Sequence, residues 1–138
     1  GERLHADDDR AARQADRAAS CDLFLDAFRY QAGATGIACA AAGLPLLSCR
    51  GDQPLARLGA GLNDFLGLPE LICSDATAYE ECAIALANDP PALAHLRTRL
   101  AAAVEERRLL DPRRGAEAIE GLVSDLLASS GHTSRGGP

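Results

Sequence analysis

The 138-residue chain contains no methionine and no lysine, each of its 14 basic residues being an arginine. Without lysine, chemistry that needs a primary amine is excluded, whether Schiff-base formation or the lysine of a P-loop. Without an initiator, a chain that opens on Gly1 reads as processed or as a fragment of a longer protein. No apolar run approaches the roughly 20 residues that cross a bilayer. The opening Gly1-Glu2-Arg3-Leu4-His5 lacks the basic-then-apolar layout of a signal peptide. A soluble, cytoplasmic protein with no membrane partner is expected. Histidine is confined to His5, His95 and His132, and the five cysteines, Cys21, Cys39, Cys49, Cys73 and Cys82, show no CxxC spacing. A zinc site therefore lacks ligands at workable spacing, and no metal is expected. The largely apolar neighbours of the cysteines read as those of buried, reduced thiols.

What is present suits a folded domain. Hydrophobic residues make up 47% and charged residues 25%, ordinary proportions for a globular chain. The net charge of −6 repels phosphate backbones and disfavours nucleic acid as a partner. One domain over residues 1–128 is expected, followed by a flexible, disordered tail over 129–138.

Apolar spacing predicts alternating helices and strands. A polar, Ala- and Arg-rich helix over Ala6–Ser20 runs into a buried strand, Cys21–Leu25. A loop over Asp26–Ala34 leads to an Ala-rich helix, Thr35–Ala42, stopped by Gly43 and Pro45, and Leu44–Cys49 reads as the second strand. From Pro54, Leu55, Leu58, Leu62, Phe65 and Leu66 recur at helical spacing up to Gly67. Glu70–Cys73 reads as a third strand, and Ser74 or Asp75 as the cap of a helix burying Tyr79, Cys82, Ala83 and Leu86, broken at Asn88-Asp89-Pro90. Two further amphipathic helices carry Leu93, Leu96, Leu100 and Val104, then Ile119, Leu122, Val123, Leu126 and Leu127. This order implies an α/β, Rossmann-like parallel sheet flanked by helices, with right-handed crossovers and further helices at the C-terminal end.

Ligands of such sheets collect at the carboxyl ends of the strands. There Gln31-Ala32-Gly33-Ala34-Thr35-Gly36 enters a helix through small residues, so backbone N–H groups and the positive end of the helix dipole can meet an anion. Gly33, Ala34, Thr35 and Gly36 are the candidate binding residues, although the same pattern serves tight packing, with Thr35 as an N-cap. Other residues read more plainly. Asp22 and Asp26 bracket a strand as solvated or turn-capping carboxylates. Arg57 pairs with an acid such as Asp52. His95 is a surface residue, and Arg107-Arg108 with Arg113-Arg114 form a solvated face. Ser48 and Ser74 have no partners for a hydrolase triad, and no catalytic residue is assigned.

The same stretch carries a family resemblance. Residues 21–71, CDLFLDAFRYQAGATGIACAAAGLPLLSCRGDQPLARLGAGLNDFLGLPEL, resemble the C-terminal catalytic half of O-linked N-acetylglucosamine transferases and SPINDLY-like glycosyltransferases. Asp22 to Asp26, Tyr30, Thr35, Gly43, Pro45, Gly51, Arg57, Leu62, Gly67, Leu68 and Glu70 fall in register with that family's segments, and similarity continues through Tyr79-Glu80 and Leu86–Pro90 to about Leu127.

The resemblance implies the C-terminal nucleotide-binding half of a GT-B enzyme that takes a UDP-sugar, such as UDP-GlcNAc, without a metal or other cofactor. Transfer to protein Ser or Thr is implied, the acceptor being reached through TPR repeats ahead of this segment. By this analogy the diphosphate docks at Gly33, Ala34, Thr35 and Gly36. The chain departs from the family where the first loop threonine is Ala34, the ribose-binding aspartate is Ala38 and the tryptophan is Ala41. The alternative reading is a non-catalytic interaction module descended from that family. On either reading this segment alone is expected to be inactive.

Overall fold

The computed structural model describes Arg13 and residues 16–130. Most of the expected helix over Ala6–Ser20 lies outside them; Arg13 and residues 16–19 are helical. Three short strands, β1 (Phe24–Leu25), β2 (Leu46–Cys49) and β3 (Ile72–Cys73), form one parallel sheet in the order β1-β2-β3. Phe24 lies opposite Leu46 and Leu25 opposite Leu47, while Ser48 faces Ile72 and Cys49 faces Cys73. The strands are shorter than their apolar runs suggested, and Glu70 and Leu71 belong to a 3₁₀ turn, Pro69–Leu71, ahead of β3. Proline in that first turn removes an amide that a ladder would need.

Helix α1 (Ala34–Ala41) joins β1 to β2, and α2 (Leu58–Leu66) precedes β3. Helices α3 (Ala76–Ala87), α4 (Pro90–Glu106) and α5 (Pro112–Ser130) follow. Local chemistry sets their ends. Asp75 caps α3 by accepting from the Ala78 amide, and Asp89 caps α4 by accepting from that of Ala92. Gly67, at φ 71°, ends α2 in the left-handed conformation that glycine adopts without steric cost.

The core joins α1, β2, α2, α3 and α4 through Ala40, Leu47, Leu62, Leu66, Leu71, Tyr79, Leu96 and Leu100. Into it is built Asn63, 1% exposed, whose amide donates to Leu46 O (2.8 Å), Leu71 O (3.2 Å) and Ser48 Oγ (3.3 Å). One side chain thus ties α2 to β2 and to the turn before β3.

Four expectations need correction. The helix expected from Pro54 is broken: Pro54–Ala56 is a 3₁₀ turn, α2 starts at Leu58, and Leu55 and Leu58 are exposed. The face that packs carries Gly59, Ala60, Leu62, Asn63 and Leu66 instead. The apolar stripe of α5 is not buried either, since Ile119, Leu122, Val123, Leu126 and Leu127 all face solvent. Periodicity marks an amphipathic face but does not supply its partner. Cys21 is exposed, although Cys39 and Cys73 are buried and none of the five cysteines is in a disulfide. Arg107 and Arg114 do not form a merely solvated face: both guanidinium groups lie over the Phe65 ring, while Arg108 pairs with Asp111. Helix α5 continues to Ser130, and residues 131–138 of the expected tail lie outside the described part. Among the described residues no helix is long and apolar enough to cross a membrane.

Candidate functional site

The segment leaving β1 is shaped by two buried polar side chains. Asp26, 4% exposed, accepts through Oδ1 from the amides of Ala27 (2.9 Å) and Ala32 (2.8 Å). Its own amide donates to Leu47 O at 3.0 Å, and its carbonyl accepts from the Tyr79 hydroxyl at 3.0 Å. Gln31, fully buried, donates from Nε2 to Cys49 O (2.5 Å) and accepts at Oε1 from the Gly59 amide (2.8 Å). The loop between them is thereby fastened to β2, α2 and α3. Asp26 was expected to be a solvated or turn-capping carboxylate; the turn-capping part holds and the solvation does not.

This fastening presents the start of α1. Its ladder begins with the Gly36 amide on Ala32 O and the Ile37 amide on Gly33 O, both at 3.1 Å. The amides of Ala34 and Thr35 therefore lie ahead of the first helical bond. Among the described residues no side chain caps this end and no acid sits in the first turn, so the positive end of the helix dipole has no counter-charge within α1 itself. Gly33, not Thr35, occupies the N-cap position. Thr35 is exposed, whereas Gly36 is buried, and a Cβ there would stand 3.0 Å from Leu46 Cδ1.

Among the described residues, Thr35 at this helix end lines two cavities. One, of about 480 Å³, is lined by the loop itself, from Asp26 and Tyr30 through Thr35, with Leu58. The other, of about 530 Å³, is lined by Arg13, Arg17, Cys21, Phe24, Thr35 and Cys39 among others. Thr35 is shared between them. Arg13 and Arg17 are the residues that sequence reasoning missed. Their i, i+4 spacing places them on one helical face, and that was the available signal. Two guanidinium groups, a hydroxyl and an open helix N-terminus together favour an anionic ligand bearing phosphate. Ala34 and Ala38 are exposed on α1 and bring no donor of their own.

The remaining candidates are dispersed. Asp22 pairs with Arg97 at 3.2 Å, Arg57 and His95 are exposed, and among the described residues Arg57 forms no ion pair with Asp52. Ser48 is buried between β2 and the turn before β3, and Ser74 donates to the neighbouring Asp75. Among the described residues no group of three His, Cys, Asp or Glu side chains is placed to hold a metal ion.

Burial raises the Asp26 carboxyl above the ordinary carboxylate range, against the opposing pull of the Ala32 and Ala27 amides. Burial, then the Asp26 charge, pushes Tyr79 up to about 12, so its hydroxyl remains a neutral donor. A carboxyl raised on folding contributes stability that is complete below its unfolded pKa and lost as pH rises through the folded one. Asp26→Asn, which cannot ionise, should therefore gain stability relative to the parent sequence in urea titrations as pH rises above the unfolded carboxyl value of about 4. Parallel pH profiles for the two proteins would contradict this assignment.

The parallel sheet, with helices packed against it and the α1 start following β1, defines a Rossmann-like layer. Comparison with known proteins narrows this class. The model of glycosyl transferase family 41 matches residues 9–119, and the chain belongs to that family. Over 105 residues it is 29% identical to a probable UDP-N-acetylglucosamine–peptide N-acetylglucosaminyltransferase SPINDLY of Solanum lycopersicum, which covers 76% of this chain and 11% of that protein. A solved O-GlcNAc transferase mutant from Thermobaculum terrenum superposes with a TM-score of 0.62 at 26% identity, covering 67% of this chain and 18% of its own. The chain thus spans a small part of the relatives it matches.

Proposed function

We propose that this chain is the nucleotide-sugar-binding portion of an O-GlcNAc transferase-like glycosyltransferase, with Gly33, Ala34, Thr35 and Gly36 receiving the diphosphate of a UDP-sugar. The observation that carries this reading is the uncapped start of α1 opening beside a cavity lined by Arg13, Arg17 and Thr35. Backbone amides, one hydroxyl and two guanidinium groups offset the diphosphate charge and stabilise the UDP leaving group as that charge builds. No metal takes part in this scheme. Among the described residues Asp26 is the only carboxylate lining either cavity; its Oδ1 is engaged by two amides and its Oδ2 is buried. Among the described residues no general base is thus offered, and on this reading turnover draws on the other lobe of a full-length enzyme, which would also bring the protein Ser or Thr acceptor.

Calorimetric titration of the full-length protein with UDP tests the reading. Binding in the micromolar range supports it, and silence at millimolar UDP leaves the non-catalytic module instead. Ala38→Asp restores the carboxylate that the family resemblance places on the ribose, and should tighten UDP about tenfold, the worth of one charge-assisted hydrogen bond of about 1.5 kcal/mol. An unchanged affinity would count against this placement of the nucleotide.

A further inference from the structure

The shape of the loop before α1 converges on a single oxygen. Asp26 Oδ1 accepts from Ala27 at one end of the loop and from Ala32 near the other, at 2.9 and 2.8 Å. Ala32 is shared: its carbonyl takes the Gly36 amide that opens the α1 ladder, at 3.1 Å. Any displacement of Ala32 therefore displaces the helix start. Asp26 is itself held from two sides, by Leu47 O on β2 and by the Tyr79 hydroxyl on α3. We propose that Asp26 is a positioning residue for nucleotide binding, its carboxylate gathering the Ala27 and Ala32 amides so that Gly33, Ala34 and Thr35 present their N–H groups to the diphosphate.

This inference rests on the nucleotide reading above and assigns a role that reading leaves open. The second oxygen sharpens it. Among the described residues Asp26 Oδ2 is buried with no hydrogen-bond partner. It lies against Gly59, where a Cβ would overlap it. A buried acceptor left unmatched destabilises the fold, and burial also disfavours the charge that this carboxyl carries when ionised. A neutral amide could tie the same two amides at lower cost to stability. What it could not supply is the charge-assisted acceptor, whose bonds are roughly twice as strong. A buried acid kept at a cost to stability, beside an open helix end, is the pattern of a site held in shape for a ligand.

The test uses the full-length protein, with amide hydrogen exchange and UDP titration as parallel readouts. Asp26→Ala should speed exchange at Ala27 and Ala32 at least about tenfold and weaken UDP by a similar factor, the effect of one lost charge-assisted bond. Asp26→Asn should rescue much of both, falling between Asp26→Ala and the parent, while its unfolding midpoint at neutral pH is no lower than the parent's. Stability and affinity then move in different directions, which a merely structural role does not predict. Leu100→Ala, a core truncation away from both cavities, serves as the destabilised control and should keep the parent affinity. Should Asp26→Ala fail to fold, Asp26→Asn alone decides: faster Ala32 exchange and weaker UDP at undiminished stability support the role. Parent-like exchange and affinity in either Asp26 variant overturn it, as does a loss of UDP in Leu100→Ala equal to that in Asp26→Ala. A parent protein that binds no UDP overturns the nucleotide reading and this inference together, whereas parent binding left intact by the Asp26 variants overturns this inference alone.

Discussion

Replacing Asn63 by leucine should lower the unfolding free energy by about 3–5 kcal/mol, an effect as large as the heaviest core truncations. The side chains are close in size, so the loss is polar. Asn63 Nδ2 serves Leu46 O, Leu71 O and Ser48 Oγ, and Asn63 is almost wholly shielded from water. Leucine leaves these acceptors without that donor, each at a cost of about 1–3 kcal/mol, partly offset by the apolar area it adds to the core. Asn63→Asp should be no milder, because it sets a carboxylate oxygen among acceptors. Urea unfolding followed by circular dichroism reads both variants. A loss below about 1 kcal/mol for leucine would mean that other donors or water reach those carbonyls.

The second large effect falls on Gly59. On helix propensity alone, alanine would improve the first turn of α2 by about 1 kcal/mol. The surroundings reverse the sign. A Cβ at Gly59 would overlap Asp26 Oδ2 and approach Leu46 Cδ2 to 3.0 Å and Ser48 Cβ to 3.1 Å. Relief requires moving α2 away from β2 or expelling the Asp26 carboxylate, so a net loss of about 2–3 kcal/mol is expected. Expelling the carboxylate would also free the Ala32 amide, and Gly59→Ala should therefore weaken UDP as well. A raised thermal midpoint in Gly59→Ala would show that the packing between α2 and the loop is looser than the structure has it.

Much of the scaffold was legible because its signals are local. Gly67 and Pro90 mark helix boundaries, Asp75 is a cap three residues ahead of the amide it serves, and Leu96 and Leu100 share one face by spacing alone. The start of α1 was legible as a run of small residues after a strand. The loop's fastening was not, since Gln31 reaches Gly59 and Cys49, and Asp26 depends on Tyr79 far along the chain. Nothing in a local pattern distinguishes a buried glutamine from a solvated one. Arg13 and Arg17 were read as helix formers, because composition alone does not say which cavity their face meets. The α5 stripe failed for the opposite reason: its pattern was clear, but burial depends on a surface the pattern does not contain.

Strand β2 has a consequence of its own. It is four residues long, yet it borders both other strands and packs against α1, α2 and α3. Leu46, Leu47 and Ser48 are each no more than 2% exposed. The chain therefore has one keel rather than a broad hull. Three consecutive positions of β2 thus carry packing that a wider sheet would distribute over many.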